Sequence, residues 1–166
     1  MDRLGLRLLG AAPKDICKEG IRKLNETDNT QELIDFYKKN IDFCLDNNFP
    51  TTDILLSDGR DFAKRNGIFI DENRFLANIP FLVALGGSEL DVNFSGVQVS
   101  QVYAKNNSKI ILNAKDNAYV TVDIFNEVQM TAEVSGEAKV LVNVYGNAKV
   151  EATGNVKIVK KNREKY

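Results

Sequence analysis

Glu137-Ala138-Lys139-Val140 returns ten residues later as Asn147-Ala148-Lys149-Val150. The echo is one of many. Cut in tens from residue 101, the chain aligns with itself as QVYAKNNSKI, ILNAKDNAYV, TVDIFNEVQM, TAEVSGEAKV and LVNVYGNAKV. Upstream, FLVALGGSEL fits, and DVNFSGVQVS fits with a one-residue slip; downstream, EATGNVKIV is a shortened copy. A fixed internal period constrains the fold more than local propensity does. Each unit is one small element that must bury its apolar side against its neighbours.

The columns of the alignment show what the element is. The second position holds Leu82, Val92, Val102, Leu112, Val122, Ala132, Val142 and Ala152, and the fourth holds Ala84, Phe94, Ala104, Ala114, Ile124, Val134 and Val144. From 101 to 150 the eighth holds Ser108, Ala118, Val128, Ala138 and Ala148, and the tenth Ile110, Val120, Met130, Val140 and Val150. Apolar even positions and mostly polar odd ones are the alternation of a half-buried strand. The sixth position carries Gly86, Gly96, Asn106, Asp116, Asn126, Gly136 and Gly146. These residues tolerate positive φ, so each marks a corner.

Strand plus corner can build a solenoid or a meander of hairpins. The residues flanking the corner are both apolar, so a hairpin would need a three-residue loop with its left-handed residue last. Here glycine sits in the middle, which favours the solenoid. Two strands per coil give a coil of about 20 residues and roughly four coils. The fold class expected is α+β: a helical region over 1–80 that caps the array, a β-solenoid over 81–159, and a charged tail over 160–166.

The first half reads as helices. Pro13 suits a first helical position, followed by Ile16, Gly20, Ile21 and Leu24 at helical spacing. Asn29 and Glu32 resemble a capping box ahead of Leu33, Phe36, Tyr37, Ile41, Cys44 and Leu45. Asn47-Asn48-Phe49-Pro50 ends that helix, and another spans Thr52 to Asn66 with Gly67 as its stop. Ile68-Phe69-Ile70 reads as a strand ended by Asp71-Glu72-Asn73. The stripe through Phe36 and Tyr37 reads as helix-to-helix core.

Three stretches resemble a group of short, uncharacterised repeat proteins of gut Bacteroidetes and their phages. They are Ile41-Asp42-Phe43-Cys44-Leu45-Asp46-Asn47-Asn48-Phe49-Pro50, then Asn66-Gly67-Ile68-Phe69-Ile70-Asp71, then the repeats ending in Val144-Tyr145-Gly146-Asn147-Ala148-Lys149-Val150. The resemblance implies a helical part followed by a repeat array, and a phage or prophage setting. It implies no activity and no functional residues.

Composition excludes several chemistries. The 166 residues include no histidine, so no catalytic triad or imidazole base can form and a conventional zinc site lacks ligands. Neither GxxxxGK[ST] nor GxGxxG occurs, and no cofactor is implied. The pair Asp58 and Asp61 lies on an expected helix, where carboxylates are ordinarily solvated; Asp53 and Asp71 read as a helix-start and a turn residue. Cys17 and Cys44 read as buried small hydrophobes in a reducing compartment, with a Cys17–Cys44 disulfide as the alternative. The net charge of −1 argues against a dedicated nucleic-acid binder. The N-terminal apolar run is short and interrupted by Arg7, so neither a secretory leader nor a membrane span is expected. A cytoplasmic location, or a virion if the chain is phage-encoded, is the expectation.

The outward columns carry the remaining candidates. Lys109, Lys139, Lys149 and Lys157 suggest a basic face for an anionic or polymeric partner. Phe125 and Tyr145, one coil apart at the outward fifth position, suggest an interface between copies of the chain. The leading expectation is therefore a non-enzymatic structural or protein-interaction module that self-associates as a homo-oligomer. The alternatives are a small-molecule binder with a pocket around Phe75, Phe81 and Tyr103, where the helical region meets the first coils, and an enzyme of unknown type.

Overall fold

The computed structural model describes residues 4–166 and divides the chain into two compact units, a helical one ending at Asn66 and a solenoid from Gly67 to Lys165. The described residues of the helical unit form α1 (Leu4–Ala11), α2 (Lys18–Asn25), α3 (Thr30–Lys39), α4 (Ile41–Asn47), α5 (Thr52–Leu55) and α6 (Arg60–Arg65). Leu4, Leu8, Leu24, Leu33, Phe49 and Ile54 form its core. The Asn29 side chain caps α3 by accepting from the Glu32 N–H at 3.0 Å. Glu32 reciprocates one residue early, accepting from the Asp28 N–H at 2.9 Å.

The helices are shorter than their apolar periodicity predicts. Asn40 separates α3 from α4, with its side-chain amide and its N–H both donating to the Phe36 carbonyl. Ser57-Asp58-Gly59 separates α5 from α6, with Gly59 at φ 92°. α2 starts at Lys18 and not at Pro13, because Cys17 is the N-cap and its sulfur accepts from the Gly20 N–H. α1 occupies the N-terminal apolar run, with Leu4 and Leu8 in the core of the helical unit. No helix is long and apolar enough to cross a membrane among the described residues.

The solenoid contains β1 (Ile68–Ile70), β2 (Asn73–Ala77), β3 (Phe81–Leu85), β4 (Glu89–Phe94), β5 (Val99–Ala104) and β6 (Lys109–Ala114). It continues with β7 (Tyr119–Ile124), β8 (Gln129–Val134), β9 (Lys139–Val144), β10 (Lys149–Thr153) and β11 (Val156–Lys160). The odd-numbered strands stack as one six-stranded sheet and the even-numbered ones as a five-stranded sheet. Every pairing is parallel, and through the repeats the register advances by one 20-residue coil, as in Val102↔Val122↔Val142. Parallel pairing excludes a meander of hairpins, whose neighbouring strands must run antiparallel.

Each corner is a four-residue turn, and the four from Lys115 to Ala148 are closed by the eighth residue's N–H on the fifth residue's carbonyl, as from Ala118 to Lys115 and from Val128 to Phe125. Its second residue has positive φ: Asn106 at 66°, Asp116 at 62° and Asn126 at 57°. These side chains also bond to the corner one coil earlier. Asn106 Oδ1 accepts from the Gly86 N–H, Asp116 Oδ2 from the Gly96 N–H, and Asn126 Oδ1 from the Asn106 N–H. The corners are thus held by a ladder of their own, beside the main-chain ladder of the sheets.

Between the sheets runs one continuous core, with Leu82, Val92, Ala104, Leu112, Val122 and Val142 each fully buried. Where an inward position is polar, the corner absorbs it. The buried Ser88 hydroxyl donates to the Leu85 carbonyl at 2.7 Å, and that of Ser108 to the Lys105 carbonyl at 2.9 Å.

Three boundaries differ from the sequence expectation. The solenoid begins at Ile68, not residue 81, because β1 pairs with β3 and β2 with β4 as a further coil without the Gly-x-Ala-Lys grammar. The array accordingly has eleven strands where the repeats alone implied about eight. There is also no slip at 91–100. Glu89↔Lys109 and Val99↔Tyr119 hold the common register, so Ser100 faces the core and the flanking valines do not. Finally, the charged tail lies along the last corner. The Lys161 N–H donates to the Val144 carbonyl and the Gly146 N–H to the Arg163 carbonyl, continuing the corner ladder past the last coil.

Candidate interaction surface

The outward side chains of a stacked parallel sheet form rows, each row repeating once per strand at roughly 4.8 Å. At the corners that follow β7 and β9, the fifth-position row contains Phe125 and Tyr145. Their rings are stacked 4.6 Å apart at 17°, and the Arg163 guanidinium stands 5.9 Å from the Tyr145 ring. Both residues are buried, at 1% and 2% exposure. Their expected role in an interface needed exposed rings. The stack occurs because identical positions one coil apart are adjacent in space, so two aromatics there meet each other before they meet solvent.

The basic residues do not share a face. Lys109 and Lys149 stand in one row of the five-stranded sheet with Gln129 between them. Lys139 is on the six-stranded sheet beside Tyr119, and Lys157 is also on that sheet but in the row of Leu141. Alternate units face opposite ways, so a column of lysines every ten residues divides between two sides. Lys109 is further neutralised by Glu89, at 2.8 Å.

The proposed pocket residues are likewise divided. Phe81 and Tyr103 are neighbours on the six-stranded sheet, ring centroids 5.6 Å apart, with Tyr103 buried. Phe75 belongs to the five-stranded sheet and is exposed. The carboxylates of the helical unit are solvated as expected: Asp58 and Asp61 are exposed, and Asp61 pairs with Lys64 at 3.2 Å. Asp71, at φ 52°, accepts from the Gly87 N–H in a turn. No group of three or more Cys, Asp and Glu is placed to hold a metal among the described residues. The two cysteines are free and unlike each other. Cys44 is buried, which pushes its thiol pKa up to about 12, whereas Cys17 is exposed at its helix cap.

Sequence reasoning missed the exposed apolar residues of the six-stranded side. Val97, Val99 and Tyr119 have 91%, 70% and 42% of their surface accessible, and Val99 and Tyr119 are register partners. The signal was the apparent slip, since the two valines look like core residues one place out of phase. On the opposite sheet Phe75 and Ile111 are 67% and 51% exposed in a row with Asp91 between them. Comparison with protein-family models, with curated proteins and with solved structures finds no match.

Proposed function

We propose that this chain is a non-enzymatic structural or interaction module that associates with copies of itself through the outer face of its six-stranded sheet. The observation that carries the reading is the patch of Val97, Val99 and Tyr119. In the other units these positions hold polar or charged residues such as Asn107, Asn117, Glu137 and Lys139. Exposed valine at the start of a strand and in the corner before it is costly to keep in water and is suited to a partner of the same strand spacing. A second copy has that spacing by construction. The missing histidine, the solvated carboxylates and the dispersed charges support a role without catalysis. The resemblance of the repeats supports a phage or prophage assembly as the setting.

Size-exclusion chromatography with light scattering on the full chain tests the reading. The parent should run as a dimer or trimer at micromolar concentration, and Val97→Ser with Val99→Ser should shift it to monomer with unchanged circular dichroism. A parent that is monomeric at high micromolar concentration, or a double variant of unchanged mass, refutes it.

A further inference from the structure

The outer face of the five-stranded sheet carries a shallow groove of about 650 Å³ that crosses β2, β4, β6, β8 and β10. Its central row reads Phe75, Asp91, Ile111, Thr131, Glu151, one residue per strand. Asp91 is partly buried, and its Oδ1 is shielded from water with no hydrogen-bond partner among the described residues. A carboxylate oxygen withdrawn from water without a donor is unfavourable, and such groups ordinarily have one. Two of the three cations lining the groove are already engaged, Lys109 by Glu89 and Arg74 by Glu72. With Arg74 taken up by Glu72, the face sets Glu89, Asp91, Glu133 and Glu151 against Lys109 and Lys149.

We propose that this row docks an extended basic segment of a protein partner, with lysine or arginine side chains on Asp91 and Glu151 and an apolar residue between them over Ile111. A side chain with an aliphatic stem and a cationic tip matches Asp91, whose row neighbours Phe75 and Ile111 are both exposed and apolar. The groove is open along its length, so a small cation would remain largely solvated, whereas a chain segment can lie along it. Spacing sets the register. Asp91 and Glu151 are three strand spacings apart, roughly 14 Å, and residues i and i+4 of an extended chain are separated by roughly 13.5 Å on one side. Lys149, beside Glu151 on β10, opposes a cation there and makes Asp91 the stronger anchor. The proposal rests on the interaction-module reading but not on self-association.

The probe is the peptide acetyl-Lys-Thr-Val-Thr-Lys-amide, titrated into the isotope-labelled full chain and followed by backbone amide shifts. Saturable shifts should fall along β4, β6, β8 and β10, and should weaken as salt is raised. Asp91→Asn should weaken binding roughly tenfold and the exposed Glu151→Gln two- to threefold. Moving the second lysine to i+3, onto the other side of the strand, should cost about as much as losing an anchor. The proposal is overturned if both variants, with well-dispersed spectra, bind as the parent does. It is also overturned if the shifts lie off the row, if the Glu-for-Lys peptide binds equally, or if 1,5-diaminopentane binds as tightly as the peptide. A monomeric parent would refute self-association and leave these outcomes unchanged, so the two readings fail separately.

Discussion

Val140→Asp places a carboxylate between the two sheets. Val140 is 2% exposed, and its register neighbours are Val120, fully buried, and Val156. Removing the valine forfeits about 1.5 kcal/mol of apolar burial. A neutral carboxyl group lacking a donor costs about 2 kcal/mol more, so the protonated variant should lose roughly 3.5 kcal/mol. Ionisation adds to this. If burial raises the folded-state pKa by about three units, the charged form costs a further 4 kcal/mol or so. The sign follows from linkage. The folded state holds the proton to higher pH than the unfolded chain, so the smaller penalty applies below about pH 4 and the full penalty near pH 7. Urea unfolding of the parent, Val140→Asp and the outward control Gln101→Asp at pH 4, 5.5 and 7 measures this. The control should lose under about 1 kcal/mol. A Val140→Asp protein with the parent's midpoint, or with a penalty that shrinks as pH rises, would refute the assignment of the inward column.

Other perturbations probe the corners and the thiols. Gly154→Ala should be severely destabilising, because at φ 88° a Cβ would collide with the Val134 carbonyl one coil below; a melting temperature within a few degrees of the parent would contradict that packing. Asn126→Gly removes only the bond to the Asn106 N–H and should cost about 1 kcal/mol, while Asn126→Ala adds the left-handed strain for about 2 kcal/mol in all, measured by urea unfolding. In the folded protein an aromatic disulfide reagent should titrate Cys17 at once and Cys44 only on unfolding. Burial lifts the Cys44 thiol from 9.0 to about 12 and raises the Tyr37 phenol as well. Between those values the unfolded chain releases protons the folded one retains. Stability should therefore fall from about pH 9 upward by as much as 1.4 kcal/mol or so per pH unit per group, and Cys44→Ala should reduce that slope.

Much of the solenoid was legible in the residues because its rules are local. Alternation of Val120, Val122 and Ile124 with Thr121 and Asp123 fixes a strand and its inward side, and Asn, Asp or Gly at the sixth position of each unit fixes the corner. A ten-residue unit with two strands per coil then gives Val102, Val122 and Val142 as neighbours. The capping box at Asn29 and Glu32 was legible for the same reason, since its partners are three and four residues apart. Ile68–Ile70 was legible as a strand but not as part of a first coil, and Asn73–Ala77 was not legible as a strand, because both join the stack only by pairing with β3 and β4 and do not repeat the grammar of the later units. Nor did periodicity show the break at Asn40, where a side chain competes for a helical carbonyl while the apolar face runs on. The candidate site was the least legible part. Local pattern says that a residue points outward; whether it meets solvent depends on what stands one coil away or folds across it. Phe125 and Tyr145 point outward and are buried against each other. Val97 and Val99 look like core and are exposed, because the register of the whole stack overrides a one-residue shift in one unit. Lys109 and Lys139 share a column and stand on opposite sheets. Asp91 became notable only when its flanking strands placed Phe75 and Ile111 beside it and gave Lys109 to Glu89.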